Sequence, residues 1–281
     1  MKRQLTAAAA LAAALVCVAG TSATASEPDH WTASGTSYTD TLGGGQGLAT
    51  RADGSVLYRG LLDIPLDLRV KGWNHVGDPD VASGYTFDAY QGADTATAKL
   101  YSVTTPAGKR YDYTHPLDAG EKVNNSFASV SPDGQWLVSG EWGDQDRLQV
   151  FPAPLLNSAT SPTGGTLAQA GQITLDKPVR DIQGCDFVGP ARLVCASDDA
   201  SGTLFPQSRP LLQVDLPHAL DGRPVTGTVT SLFGLPQQSV CKGNFEAEGV
   251  DYDPGTGTLR AEVIPPSVCA VATTVYTYHR Q

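Results

Sequence analysis

"NFEAEGVDYDPGTGTLRAEV", residues 244–263, reads as a strand, a tight turn and a second, more apolar strand. Asp253, Pro254 and Gly255 carry the turn through side-chain capping, a fixed φ and tolerance of positive φ. The same plan recurs in "QGLATRADGSVLYRG" from Gln46, "NHVGDPDVASGYTFDAYQG" from Asn74, "NSFASVSPDGQWLVSGEW" from Asn125 and "DIQGCDFVGPARLVCASDD" from Asp181. After each of the middle three units, two further strand-like runs precede the next. Four short strands per unit of about fifty residues is the period of propeller blades. The reading is an all-β propeller of five blades, with six as the alternative.

The ends of the chain fit a closed ring. The last unit shows three strands, and the N-terminal "WTASGTSYT", Trp31–Thr39, is placed to supply the fourth and cover an open edge. The first unit is cramped, with only "LLDIPLDLRVKGW" for its outer strands.

The N-terminus reads as a secretion signal. Lys2 and Arg3 precede an apolar run from Ala7 to Gly20, and Ala23-Thr24-Ala25 offers a cleavage site, so residues 1–25 form a leader and 26–281 one propeller domain. Losing Lys2 and Arg3 takes the formal net charge from −10 to −12. Such a surface repels nucleic acid and anionic membranes, so the expected product is a secreted, monomeric, soluble protein with a small molecule or an extracellular protein as partner.

Cys185, Cys195, Cys241 and Cys269 remain after cleavage, an even number in an exported chain, and three pairings are open to them. The blade model selects among these. A three-residue turn at Gly189-Pro190-Ala191 sets Val188 opposite Arg192 and Cys185 opposite Cys195, while Cys241 and Cys269 fall at the same end of the last unit's strands.

The aspartates of the turn stretches, Asp133, Asp251 and Asp253, read as turn builders. Glu246 and Glu248 differ, because they sit two apart before the turn and share one face of an innermost strand. The other units also open on polar groups: Asn74, His75 and Asp78, then Asn124 and Asn125, then Asp181, Gln183 and Asp186. Inner strands would aim these at one central funnel, and oxygen donors without thiolates suit a hard cation such as Ca²⁺. His75 paired with Asp78 suits a general base. No G-x-S-x-G elbow, H-E-x-x-H, phosphate loop or dinucleotide fingerprint occurs.

"EGVDYDPGTGTL", Glu248–Leu259, together with "SPDGQWLV", Ser131–Val138, resembles the calcium-dependent propeller hydrolases of the gluconolactonase and paraoxonase type. That resemblance implies Glu248 as a carboxylate ligand and Asn125 as an amide ligand. Two functions follow. The favoured one is a binding module, with Trp73, Trp142 and Tyr90 as aromatic contacts. The alternative is a calcium-dependent hydrolase of lactones or esters, with Glu248, Asn125, Asp186 and Asp78 around the ion, Glu246 beside them and His75 handling the proton.

Overall fold

In the computed structural model, which describes residues 27–123 and 127–281, the chain begins by strapping down its own end. The expected leader and Asn125 lie outside the described residues. Strand β1 (Trp31–Asp40) runs antiparallel to the last strand, from Trp31 opposite Arg280 to Asp40 opposite Ala272. Asp29 anchors this strap, with its carboxylate 2.5 Å from both Arg192 and Arg280.

Helix α1 (Thr41–Gly44) leads into a hairpin of β2 (Gly47–Thr50) and β3 (Val56–Arg59). The outer strands sought in "LLDIPLDLRVKGW" do not form. A 3-10 turn at Leu61–Asp63 and helix α2 (Leu66–Val70) take their place. Ile64 and Leu68, four apart, are the buried pair of this segment, packing with Val76, Tyr90, Leu100 and Trp73. That is helical spacing, and it overrides the expected alternation.

The second unit holds β4 (His75–Val76), β5 (Asp80–Ala82), β6 (Tyr85–Gln91), β7 (Ala98–Thr104) and β8 (Arg110–Pro116). Both β4 and β5 pair with β6, as one inner strand interrupted where Pro79 has no N–H to give. The third unit holds β9 (Ser129–Val130), β10 (Trp136–Ser139) and β11 (Asp144–Pro152). From it β12 (Gly165–Thr166) strays to lie parallel to β8, and β13 (Gly171–Arg180) completes it. The fourth is β14 (Ile182–Gly189), β15 (Arg192–Ser197), β16 (Pro210–Asp215) and β17 (Val225–Gly234). The last is β18 (Glu246–Asp253), β19 (Thr258–Ile264) and β20 (Ala272–Arg280), with β1 outside them.

Burial follows position in the sheets. The outer strand β13 alternates, with Ile173 and Leu175 buried and Thr174 and Asp176 exposed. In β15, covered on both faces, "LVCAS" is buried without a break. Two departures from separate blades occur: β12 pairs in parallel with β8 of the second unit, and β13 and β17 pair in parallel through Ile173–Val225 to Leu175–Gly227, joining the third and fourth units at their rims.

Inner strands touch in a closed order, β2, β5, β9, β14, β18 and back to β2. Meandering sheets arranged radially around such a ring are a β-propeller. Aspartates stitch the ring, each accepting from the backbone of a neighbouring unit. Asp251 accepts from Thr50 N and Oγ1 at 2.7 Å each, Asp80 from Val130 N at 2.6 Å, and Asp186 from Tyr252 N at 2.6 Å. Asp251 is therefore a clamp between units, not the turn residue its sequence suggested. Asp253 and Asp133 do build turns, accepting from Gly255 N and Gln135 N respectively.

Both disulfides are present, Cys185–Cys195 and Cys241–Cys269. Cys185 lies directly opposite Cys195, but Gly189, not Val188, faces Arg192, and Val188 is bulged out of the ladder. The bulge absorbs the extra residue and leaves the cysteines in register.

Candidate functional site

The ring has two mouths. Where the inner strands begin, a cavity of about 640 Å³ is lined by Asn74, His75, Gln91, Asp94, Glu121, Trp142, Gln183, Glu246 and Glu248, among others. At the hairpin-turn end a second cavity, about 830 Å³, is lined by the turn residues with Asp80, Asp186 and Asp251 in its wall.

Asp78 lies deeply buried within the ring. Its Oδ1 accepts from Leu48 N and its Oδ2 from Val250 N, both at 3.0 Å, while its carbonyl accepts from Ala128 N at 2.9 Å. The side chain joins the first and last units to its own, and the residue's carbonyl adds the third. Three glycines make room for it: a Cβ on Gly47, Gly184 or Gly249 would fall 2.6, 2.2 and 2.2 Å from an Asp78 carboxyl oxygen. Burial pushes the Asp78 carboxyl well above the usual carboxylate range, against the two backbone donors.

The structure separates the residues that the sequence grouped together. His75, Glu246, Glu248 and Trp142 meet at the strand-start mouth. Asp186 belongs to the opposite mouth, where its oxygens accept from Phe187 N and Tyr252 N, and burial and Asp80 raise its carboxyl. Asp78 spends its oxygens on the backbone, so it is not paired with His75 as the sequence suggested. Trp73 and Tyr90 pack in the small core under α2. The calcium set of Glu248, Asp186, Asp78 and Glu246 therefore does not converge, and no ion binding all four fits this geometry.

Within the strand-start cavity the charges are uneven. Glu121 is neutralised from behind, with Lys99 Nζ 2.7 Å from one oxygen and His115 Nε2 2.9 Å from the other. His115, Asp118 and Glu121 bring one potential ligand atom each within 4.8 Å of one another. The buried Lys99 ammonium already occupies the cation's role there. Burial works against the Glu121 charge, but hydrogen bonds from His115 and Lys99 hold its carboxyl well below the usual range. Glu246 and Glu248 form no ion pair with any described residue. Glu248 is 3% exposed, and burial, then Glu246 and Asp198, push its carboxyl well above the usual range. Burial also lowers the His75 imidazole, so it stays neutral under neutral conditions. Trp142 is 50% exposed at the rim.

Sequence reasoning missed Gln46, whose Nε2 lies 3.5 Å from Glu248 Oε1, and the buried Glu262 of β19. Glu262 sits in "LRAEVI", where an acid between Ala261 and Val263 at a core register was the available signal.

No protein-family model matches the sequence, and no curated protein matches it. Among solved structures, the β-propeller domain of Myceliophteria thermophila Cps50 (Swd1) is 12% identical, with a TM-score of 0.33 over 63% of this chain and 45% of that one. The periplasmic gluconolactonase PpgL of Pseudomonas aeruginosa is 18% identical, with a TM-score of 0.38 over 64% of this chain and 47% of that one. U3-55K is 8% identical, with a TM-score of 0.40 over 82% and 67%. The chain spans about half the length of the first two. At these scores the overlaps carry no weight, and the architecture rests on the strand ladders and the closed ring.

Proposed function

We propose that this chain is an exported, five-bladed β-propeller that binds a small organic cation in the cavity at the strand-start mouth. One observation carries the reading: two glutamates that form no ion pair with any described residue, Glu246 and Glu248, share the cavity wall with the half-exposed indole of Trp142. Carboxylates beside an exposed aromatic face suit an alkylated or polyamine nitrogen, which the indole attracts by about 0.5–2 kcal/mol while the acid supplies the charge. Polar neighbours Asn74, Gln91 and Gln183 supply hydrogen-bond partners around the head group. Two disulfides agree with export to an oxidising compartment, and no helix among the described residues is long and apolar enough to cross a membrane.

The test is tryptophan fluorescence and calorimetric titration with choline and spermidine, beside glucose and citrate as neutral and anionic controls. Saturable binding of a cation that weakens at least about tenfold in Trp142→Ala and Glu246→Gln supports the reading. Binding of glucose or citrate alone, or of none of the four, refutes it.

A second reading, hydrolysis of lactones or esters, is favoured by His75, whose imidazole burial lowers, and Glu248, whose carboxyl burial raises, standing in one cavity. A neutral imidazole can accept a proton from water, and a raised carboxyl can return one. Turnover of a lactone or ester panel that is lost in His75→Ala would select this reading over simple binding.

A further inference from the structure

Three short pieces of the first and last units stand together at the strand-start end. Helix α1 runs directly into β2. Arg59 closes β3 opposite Gly47, so the 3-10 turn at Leu61–Asp63 follows at that end. Ile264 closes β19 opposite Glu246, so a second 3-10 turn, Ser267–Val271, does the same. Helix α1 touches both turns. A Cβ on Gly60 would fall 2.2 Å from the Leu42 carbonyl oxygen, and Thr41 Oγ1 lies 2.9 Å from Thr273 Oγ1. The Cys241–Cys269 disulfide ties the loop bearing Val240 to the second turn. Leu42, Leu62, Val240, Val268 and Val271 emerge from these pieces 57–94% exposed. One exposed leucine calls for no explanation, but five such residues on adjoining segments make an apolar belt, and patches of that kind mark binding surfaces.

The belt adjoins the acidic cavity. The first 3-10 turn packs on β4, whose His75 lines the cavity, and Gln46, just past α1, reaches Glu248. The stretches 41–46, "TLGGGQ", and 264–272, "IPPSVCAVA", hold no charged side chain. That combination decides among occupants. A second copy docked symmetrically through this face would set two acidic mouths against each other, in a chain of net charge −10. A protein partner would find no charge to pair with along those two stretches. A hydrocarbon chain needs none, and gains by leaving water.

Building on the organic-cation reading above, on which this inference rests, we propose that the ligand is a single-chain cationic amphiphile. Its alkylated ammonium head occupies the cavity beside Glu246 and Trp142, and its hydrocarbon chain lies across Leu42, Leu62, Val268 and Val271. Asn74, Gln91, Gln183 and the two glutamates leave the cavity itself little apolar wall for a chain, so the chain's place is outside, on the belt. The disulfide holds the Val240 and Val268 segments together before the ligand arrives, which lowers the cost of ordering them.

The experiment is calorimetric titration of the mature, disulfide-intact protein with choline, decyltrimethylammonium and decyl glucoside, each below its micelle-forming concentration. Decyltrimethylammonium should bind at one site at least about tenfold tighter than choline, a modest share of the roughly fourfold available per buried methylene. Decyl glucoside, the same chain on a neutral head, should bind at least about tenfold more weakly than decyltrimethylammonium. Leu62 and Val271 are exposed, so the double variant Leu62→Ser, Val271→Ser should fold, and it should bring the affinity ratio of decyltrimethylammonium to choline within about threefold. Glu246→Gln should weaken both cations and leave that ratio as in wild type. A wild-type ratio of about one overturns the amphiphile while the head-group reading stands. Equal binding of decyl glucoside, or an unchanged ratio in the double variant, also overturns it. A concentration-dependent dimer that the double variant abolishes would assign the belt to self-association and overturn it too. If neither choline, spermidine nor decyltrimethylammonium binds, the head-group reading is refuted and this inference falls with it.

Discussion

Replacing Asp78 by alanine should cost more than any surface change to this protein, and the structure gives the size of the loss. The substitution leaves Leu48 N and Val250 N buried without acceptors. Each orphaned donor costs about 1–3 kcal/mol, so the pair costs roughly 4 kcal/mol before any cavity term. For a chain of this size about 2–4 °C is lost per kcal/mol, which predicts a fall in melting temperature of roughly 8–16 °C. Asp78→Asn keeps one acceptor and turns an amide N–H₂ toward the other donor, so it should lose about half as much. The assay is calorimetric melting of the mature protein at neutral pH with both disulfides intact. A melt of Asp78→Ala within about 2 °C of wild type would refute the idea that this carboxyl ties the ring.

Three other outcomes follow from the same contacts. Removing the Cys241–Cys269 disulfide, whose cysteines are 28 residues apart, should cost about 3–4 kcal/mol by loop-closure entropy, read from urea midpoints of the double-alanine variant. Glu262 has its folded carboxyl raised above its unfolded value, first by burial and then by Asp251. Its contribution to stability is complete below the unfolded pKa and is lost as pH rises through the folded one. Wild type should therefore lose melting temperature as pH rises above the ordinary carboxylate range and Glu262→Gln should lose less; parallel curves would contradict this. Deleting residues 27–40 should expose β20 as an edge strand and give a chain that aggregates, measured by light scattering against the full mature protein.

Much of the architecture was legible because it depends on local pattern. Alternation, turn chemistry and the recurring hairpin gave the strands, the strap of Trp31–Asp40 along the last sheet and both cysteine pairings. The first unit misled because "LLDIPLDLRVKGW" is apolar enough for strands, yet its two buried residues, Ile64 and Leu68, repeat at four. The candidate site was less legible, for a geometric reason. An inner strand runs between two mouths, so residues only a few positions apart, such as Gln183 and Asp186, end in different cavities. Sequence spacing shows which face a side chain takes and not which end of the axis it reaches. Asp78 and Asp251 looked like ligand and turn because they accept from backbone N–H groups of other units, Asp251 from the Thr50 hydroxyl and Arg260 as well, which no local motif reveals.

The central claim is that ligand recognition occurs at the strand-start mouth, with the turn end serving only to hold the ring together. Amide hydrogen exchange with and without saturating spermidine tests it directly. The account predicts slowed exchange around residues 74–76, 91–94 and 246–248, and no change in the turns at 81–84, 131–134 and 253–256. Protection confined to those turns would contradict it.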